Sequence, residues 1–276
     1  MGLTHFPNGV SSFGVPMTGN IPYFLPRNAK TYFVDKSGSD GNNGSYEAPY
    51  LTIQQAVNQV PQGGGAAVTE RGSVIFVGPG LYEAETRIMD RRYITLIGAG
   101  PGRTIIAGGN AVSGGTSFTL PAQPAISGHG FMIAARGTYV TGFTFRGVGS
   151  ANGMYIGDGL RIATDANYTV GDVKIFGNTF DGDEWDGRWG IGVDGASGPV
   201  EIFNNLFFRW GLGGIAGGAG AGKGTSDVIV RDNQFLYCRG FGVDLSAGAG
   251  AVTNWCTGPG NVFADDDTTA LTNPAR

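Results

Sequence analysis

One four-residue phrase returns four times in the C-terminal half of the chain: Gly177-Asn178-Thr179-Phe180, Asn204-Asn205-Leu206-Phe207, Asp232-Asn233-Gln234-Phe235 and Gly260-Asn261-Val262-Phe263. Its Asn recurs at intervals of 27, 28 and 28 residues. The first three copies follow the same alternating strand, Val173-x-Ile175, Val200-x-Ile202 and Val228-x-Val230, whose apolar residues share one face. A weaker copy, Gly142-Phe143-Thr144-Phe145, lies upstream. A period of this length carrying β-alternation predicts a solenoid in which each repeat is one coil.

Stacking accounts for the residue types. Coils rise by roughly 4.8 Å, so equivalent residues form columns. Phe145, Phe180, Phe207, Phe235 and Phe263 are expected in one internal stack, with Asn taking a left-handed turn and bonding to its equivalents above and below. A second column is expected from Gly190-Ile191-Gly192-Val193-Asp194, Gly211-Leu212-Gly213 and Gly240-Phe241-Gly242-Val243-Asp244, with glycines at sharp corners. Parallel crossovers make the expected hand right. The fold class is therefore all-β: a right-handed single-stranded parallel β-helix of about seven coils over residues 31–276.

Composition agrees with a packed solenoid. Of 276 residues 51 are Gly and 14% are charged, yet 41% are hydrophobic and 17 are Phe, which argues against a disordered chain. A net charge of −4 with scattered basic residues excludes nucleic acid as the main partner, and no apolar run reaches the length of a membrane span. Without a signal peptide, assembly in a reducing cytoplasm is expected. Cys238 and Cys256 sit at different places in the repeat, so buried free thiols are expected in preference to a disulfide.

Residues 1–30 carry four prolines and four aromatics without a helix or strand period, so they read as an extended arm with Phe6, Phe13, Tyr23 and Phe24 as anchors for a partner surface. Thr52 is the expected N-cap of a short capping helix over about 52–60, with Ile53, Ala56, Val57 and Val60 on its buried face. Gly-rich stretches 108–124, 147–157 and 217–224 read as loops, and 264–276 as a polar end cap.

The strand before Ser37-Gly38-Ser39-Asp40-Gly41-Asn42-Asn43-Gly44, the helix Thr52-Ile53-Gln54-Gln55-Ala56-Val57 and the strand Ile75-Phe76-Val77-Gly78-Pro79-Gly80-Leu81-Tyr82-Glu83 together resemble the start of pectin-lyase-like right-handed parallel β-helices. That resemblance covers residues 31–263 and bears on fold, because the fold hosts lyases, hydrolases, epimerases, spikes and inert scaffolds.

Chemistry has one concentrated candidate: Asp181, Asp183, Glu184, Asp186 and Asp194 with Trp185 and Trp189. Carboxylates and indoles could serve a sugar, and the acids could hold Ca²⁺, although their spacing is not that of an EF-hand. The third reading is a solvated acidic loop with Trp packed on the coil or on a neighbouring subunit, and this one is taken. Asp194 and Asp244 are expected in one column roughly 10 Å apart, near the spacing of an inverting carboxylate pair. His5 and His129 have no partner motif, and the polygalacturonase and pectate-lyase catalytic elements are missing. The expectation is no catalytic residue, no metal and no cofactor.

Met1 to Pro16 resembles the opening of small virion-associated proteins of tailed bacteriophages. Joined to a compact β-helix, it implies a tailspike-like head decoration or cement protein on the outer surface of the capsid. Its expected partners are the major capsid protein and two further copies in a homotrimer, with Trp185, Trp189, Arg209 and Trp210 at the subunit contact. The alternative is a tailspike or receptor-binding protein that binds or cleaves bacterial surface polysaccharide, which makes a glycan a further candidate partner.

Overall fold

The computed structural model describes residues 11–12, 15–16, 30–61, 72–83, 86–88, 92–107, 131–147, 154–157, 170–183, 189–194, 198–217, 227–245 and 255–264. Three parallel sheets run along the molecule. Sheet I has eight strands, at Lys30–Val34, Ser73–Val77, Ile94–Gly98, Tyr139–Thr141, Val173–Phe176, Val200–Phe203, Val228–Arg231 and Trp255–Thr257. Sheet II has seven, at Gly80–Tyr82, Thr104–Ile106, Thr144–Arg146, Thr179–Asp181, Leu206–Phe208, Gln234–Leu236 and Val262–Ala264. Sheet III has six, at Thr86–Ile88, Phe131–Ile133, Met154–Gly157, Trp189–Asp194, Gly213–Gly217 and Phe241–Asp244. Each strand pairs in parallel with its equivalent one coil away, and the chain is a right-handed parallel β-helix. Sheet I counts eight coils against the seven expected, because Lys30–Val34 already pairs with Ser73–Val77.

The aromatic stack is present. Centroids from Phe145 to Phe180, Phe207, Phe235 and Phe263 are 5.0, 4.7, 4.8 and 5.0 Å apart, with rings within 15° of parallel. Ile106 and Tyr82 continue the column upstream. Phe263 departs from the expected burial: it ends the stack and is 45% exposed. The rings also explain the glycines of sheet III. A Cβ on Gly190 would lie 2.6 Å from Phe207 Cδ1, and Cβ atoms on Gly214 and Gly242 would collide with the rings of Phe235 and Phe263. These glycines leave room for the stack, which is a different task from turning corners.

The Asn ladder holds, with one correction to its backbone. The left-handed residue is the one before Asn: Gly177, Asn204, Asp232 and Gly260, at φ 63, 53, 56 and 83°. That single turn aims the following Asn inward, where Asn178, Asn205 and Asn233 are buried. Asn178 Nδ2 donates to Asn205 Oδ1 (3.2 Å), Asn205 Nδ2 to Asn233 Oδ1 (3.0 Å) and Asn233 Nδ2 to Asn261 Oδ1 (3.2 Å). The other left-handed non-Gly residues fall at the other two corners. Tyr93, Asp172 and Asp227 precede sheet I, while Asp183, Arg209 and Tyr237 follow sheet II. The corners, each disfavoured by about 1–2 kcal/mol per residue, persist because the coils above and below fix them.

One expected register and one expected loop are corrected. In sheet III, Ile191 is level with Ile215 and Val243, and Gly192 with Ala216 and Asp244. Asp194 stands two residues further along, beside Gly157, so Asp194 and Asp244 occupy different columns. A slip of two keeps every side chain on its own face, which is why the alternation did not reveal it. The stretch 147–157, expected as a loop, contains the strand Met154–Gly157, whose Met154 is buried. Most of 108–124 and 217–224 and the tail 265–276 lie outside the described residues.

Thr52 caps the helix Ile53–Gln59 as expected, its side chain accepting from Gln55 N (3.2 Å), and Ile53, Ala56 and Val57 close the upper end of the core. Asp40 fastens the cap, accepting from Thr52 N and Thr52 Oγ1, each at 2.9 Å. In the arm, Ser11–Ser12 pairs antiparallel with Val15–Pro16. Phe6, Phe13, Tyr23 and Phe24 lie outside the described residues. Neither Cys238 nor Cys256 is in a disulfide; Cys238 is buried and Cys256 exposed, the latter against expectation because its side chain points out of sheet I.

Burial raises Tyr139 above the usual tyrosine range, and Asp172 adds to this through its charge and the hydrogen bond that Tyr139 Oη donates to its Oδ1 (3.2 Å). Burial likewise raises Tyr82, with Asp35 adding to it. In both cases the folded state disfavours ionisation. Stability is therefore complete below the unfolded tyrosine value near 10 and falls as pH rises above it. Urea midpoints should drop between about pH 10 and 12, and Tyr139→Phe should flatten that drop. A pH-independent midpoint would contradict the assignment.

Candidate functional site

The residue after each stacked Phe points out of sheet II, and these residues form a column: Arg146, Asp181, Phe208, Leu236 and Ala264. Arg209, turned by its left-handed backbone at the corner, reaches back one coil. Its Nη2 donates to Asp181 Oδ1 (3.0 Å) and Oδ2 (3.3 Å). The same guanidinium lies 4.5 Å over the Phe208 ring, and Tyr237 meets Phe208 edge-on at 5.8 Å. Tyr237 is 40% exposed.

Among the described residues no carboxylate stands within ion-pairing distance of Arg146. The Nε atoms of Arg146 and Arg209 are both buried without a hydrogen-bond partner. A buried polar N–H left unpaired costs about 1–3 kcal/mol. Two cations around one carboxylate, beside an exposed phenol and a phenyl ring, form a surface that can accept an anionic oxygen ligand while a ring packs on the aromatics.

The expected candidates disperse. Trp185, Glu184 and Asp186 lie outside the described residues. Asp181 is committed to Arg209, whereas Asp183 is exposed and its N–H donates to Asp181 Oδ1 (3.1 Å). Trp189 is half-buried on the outside of sheet III, its ring lying over Gly213, where a Cβ would collide with it. Trp210 corrects the expected subunit contact: it is fully buried, with Nε1 donating to Phe180 O (2.9 Å). Gly182 makes that path feasible, since a Cβ there would strike the Arg209 carbonyl and lie 2.8 Å from Trp210 Cα. Among the described residues no cluster of His, Cys, Asp and Glu is arranged to hold a metal. Arg146 was missed, although aligning Thr144-Phe145-Arg146 with Thr179-Phe180-Asp181 and Leu206-Phe207-Phe208 places it in the column.

A second concave feature lies at the capped end, a groove of about 250 Å³ lined by Lys36, Leu51, Thr52, Gln54, Tyr82 and Glu83. Lys36 Nζ sits 5.2 Å over the Tyr82 ring, so its charge is partly satisfied within the fold.

Several solved structures show distant similarity to this chain. Carrot pectin methylesterase is 16% identical with a TM-score of 0.39, covering 84% of this chain and 70% of that one. A rhamnogalacturonan lyase is 17% identical with a TM-score of 0.35, covering 77% and 69%. Escherichia coli YbhC is 14% identical with a TM-score of 0.42, covering 91% and 89%. At these values no residue role is transferred. No curated protein matches the sequence at a significant level. The family described as rhamnogalacturonase A/epimerase, pectate lyase-like, matches residues 34–257, and with the match extending over most of the β-helix the chain belongs to that pectate lyase-like family.

Proposed function

We propose that the chain is a tailspike-like protein of a tailed-bacteriophage virion that binds bacterial surface polysaccharide on the outer face of sheet II. The observation that carries the binding surface is the outward cluster on sheet II in which Arg146 and Arg209 flank Asp181 and Arg209 lies over Phe208 beside the exposed Tyr237. Membership of a family named for polysaccharide-acting enzymes supports a carbohydrate ligand. The site is read as binding without cleavage: Asp181 is held by Arg209, and Asp194 and Asp244 stand in different columns. An acidic sugar would set its anionic oxygens against the two guanidinium groups and its ring against Tyr237.

The test is retention of the full chain on immobilised acidic polysaccharide from host bacteria, with the polymer assayed for chain shortening. Arg146→Ala should weaken retention by roughly 10-fold or more, the loss of a charged hydrogen bond worth about 1.5–3 kcal/mol. Unchanged retention would remove Arg146 from the site, and a shortened polymer would replace binding with catalysis.

A second reading, a capsid decoration or cement protein, is favoured by one observation: Met1 to Pro16 resembles virion-associated proteins, and residues 1–30 combine four prolines with four aromatics. Such an arm gains main-chain hydrogen bonds along a groove of the major capsid protein. Undecorated heads should then be decorated by the full chain and not by a chain lacking residues 2–24. Equal decoration by both would end the arm's role as anchor.

A further inference from the structure

The two ends of the β-helix differ. At the first coil the helix Ile53–Gln59 covers the core and is fastened by Asp40. At the last coil the three sheets finish on Trp255–Thr257, Val262–Ala264 and Phe241–Asp244, each paired with a neighbouring strand on one side. Phe263 stacks on Phe235 at 5.0 Å and is 45% exposed, and Val262 beside it is 52% exposed. An open strand edge with an uncovered ring is a template for one more strand.

The bonds that run along the ladder define what that strand must offer. In each coil the residue after Asn donates to the Asn carbonyl one coil earlier: Leu206 N to Asn178 O (2.9 Å), Gln234 N to Asn205 O (2.8 Å) and Val262 N to Asn233 O (2.8 Å). Each Asn N–H donates to the next Asn side chain, ending with Asn233 N to Asn261 Oδ1 (3.0 Å). Among the described residues nothing continues either series from Asn261. The continuation needs a left-handed residue, an Asn, and an extended residue with an N–H, followed by an apolar residue suited to an outermost edge. Residues 19–22 of the arm are Gly-Asn-Ile-Pro. Gly19-Asn20 repeats Gly177-Asn178 and Gly260-Asn261, Ile21 takes the place of Val262, and Pro22 takes that of Phe263. Proline suits an edge because it has no N–H to leave bare, and it keeps the residue before it extended. The other candidates fail on the same chemistry. Asn8 follows Pro7, whose ring forbids the left-handed turn, and Asn273 precedes Pro274, which has no N–H to give Asn261 O.

We infer that residues 19–22 of one copy of this chain dock on the open end of sheet II in a second copy and add its next strand. Asn20 Oδ1 accepts from Asn261 N, Ile21 N donates to Asn261 O, and the Pro22 ring covers Phe263. A copy cannot serve itself. Eight residue steps from Pro22 to Lys30 span at most about 29 Å. A strand added beyond the eighth coil lies eight rises, or about 38 Å, from Lys30. The contact joins unlike ends, so copies associate head to tail. This proposal is independent of the polysaccharide site.

The experiment is oxidation of the full chain carrying Ile21→Cys and Val262→Cys in a Cys256→Ser background, with circular dichroism to check the fold. Neighbouring parallel strands hold facing residues at a separation a disulfide can bridge. Non-reducing electrophoresis should therefore show dimers, trimers and longer ladders, whereas either new cysteine alone should stop at dimers. A fluorescent peptide of residues 16–26 should bind the full chain carrying Asn20→Ala at micromolar concentration, read by anisotropy. The same peptide carrying Asn20→Ala should bind about 10-fold more weakly or worse. Double-cysteine chains that stop at monomers or dimers, peptide binding indifferent to Asn20→Ala, or displacement of the peptide by one of residues 265–276 would overturn the proposal.

Discussion

Replacing Phe207 by Ala is expected to lower the unfolding free energy by about 3–5 kcal/mol, the range for a buried aromatic truncation. The ring is fully buried, with Phe180 at 4.7 Å on one face and Phe235 at 4.8 Å on the other. Its edge rests on Gly190, whose missing side chain is the space the ring fills. The void cannot close by a shift of backbone, because both flanking coils are held at fixed rise by their own strand pairing. Phe208→Ala is the internal control: one residue away but outward and half-buried, it should cost about 1 kcal/mol or less. Urea denaturation of the two variants side by side is the measurement. Equal losses would mean that the stack does not carry the stability assigned to it. Because each coil touches only its neighbours, the loss should also appear first as opening around residues 178–236, with the capped end intact.

The inward columns were legible because they repeat chemically. A Phe or Asn that returns every coil reports both the period and the face, and the sheet II register follows from it without error. Sheet III was harder because its phrase is built of glycine and small apolar residues, so Gly190-Ile191-Gly192 aligns with Gly240-Phe241-Gly242 as well as with the true register. The left-handed position was misplaced by one residue. Asn is the usual occupant of such turns, but here a preceding Gly, Asn or Asp takes the turn and frees the next Asn for the ladder. Trp210 looked like a surface anchor from composition alone. Its burial depends on Gly182, a residue 28 positions earlier that becomes its neighbour through coiling. Arg146 escaped notice for a related reason: its place beside Asp181 in the outward column is visible once the coils are assembled.

The second large effect is expected at Asn205, where removing the side chain to Ala should cost about 3 kcal/mol or more, with one side of the ladder damaged and the other spared. Asn205 Oδ1 accepts from Asn178 N (3.1 Å) and from Asn178 Nδ2 (3.2 Å). Its Nδ2 donates to Ile175 O (2.9 Å), to Phe203 O (3.0 Å) and to Asn233 Oδ1 (3.0 Å). The site is buried, so water cannot replace these partners without entering the core, and each orphaned group costs about 1–3 kcal/mol. The orphans are unevenly distributed. Asn178 loses the acceptor for its backbone N–H, whereas the N–H of Asn233 keeps its bond to Asn261 Oδ1 (3.0 Å) because that contact lies on the other side of the gap. Hydrogen exchange on Asn205→Ala should therefore show faster exchange at the Asn178 amide and unchanged protection at Asn233. Symmetric loss at both amides would mean the ladder acts as one cooperative unit in place of a chain of directional bonds, and no loss at Asn178 would show that water repairs the gap.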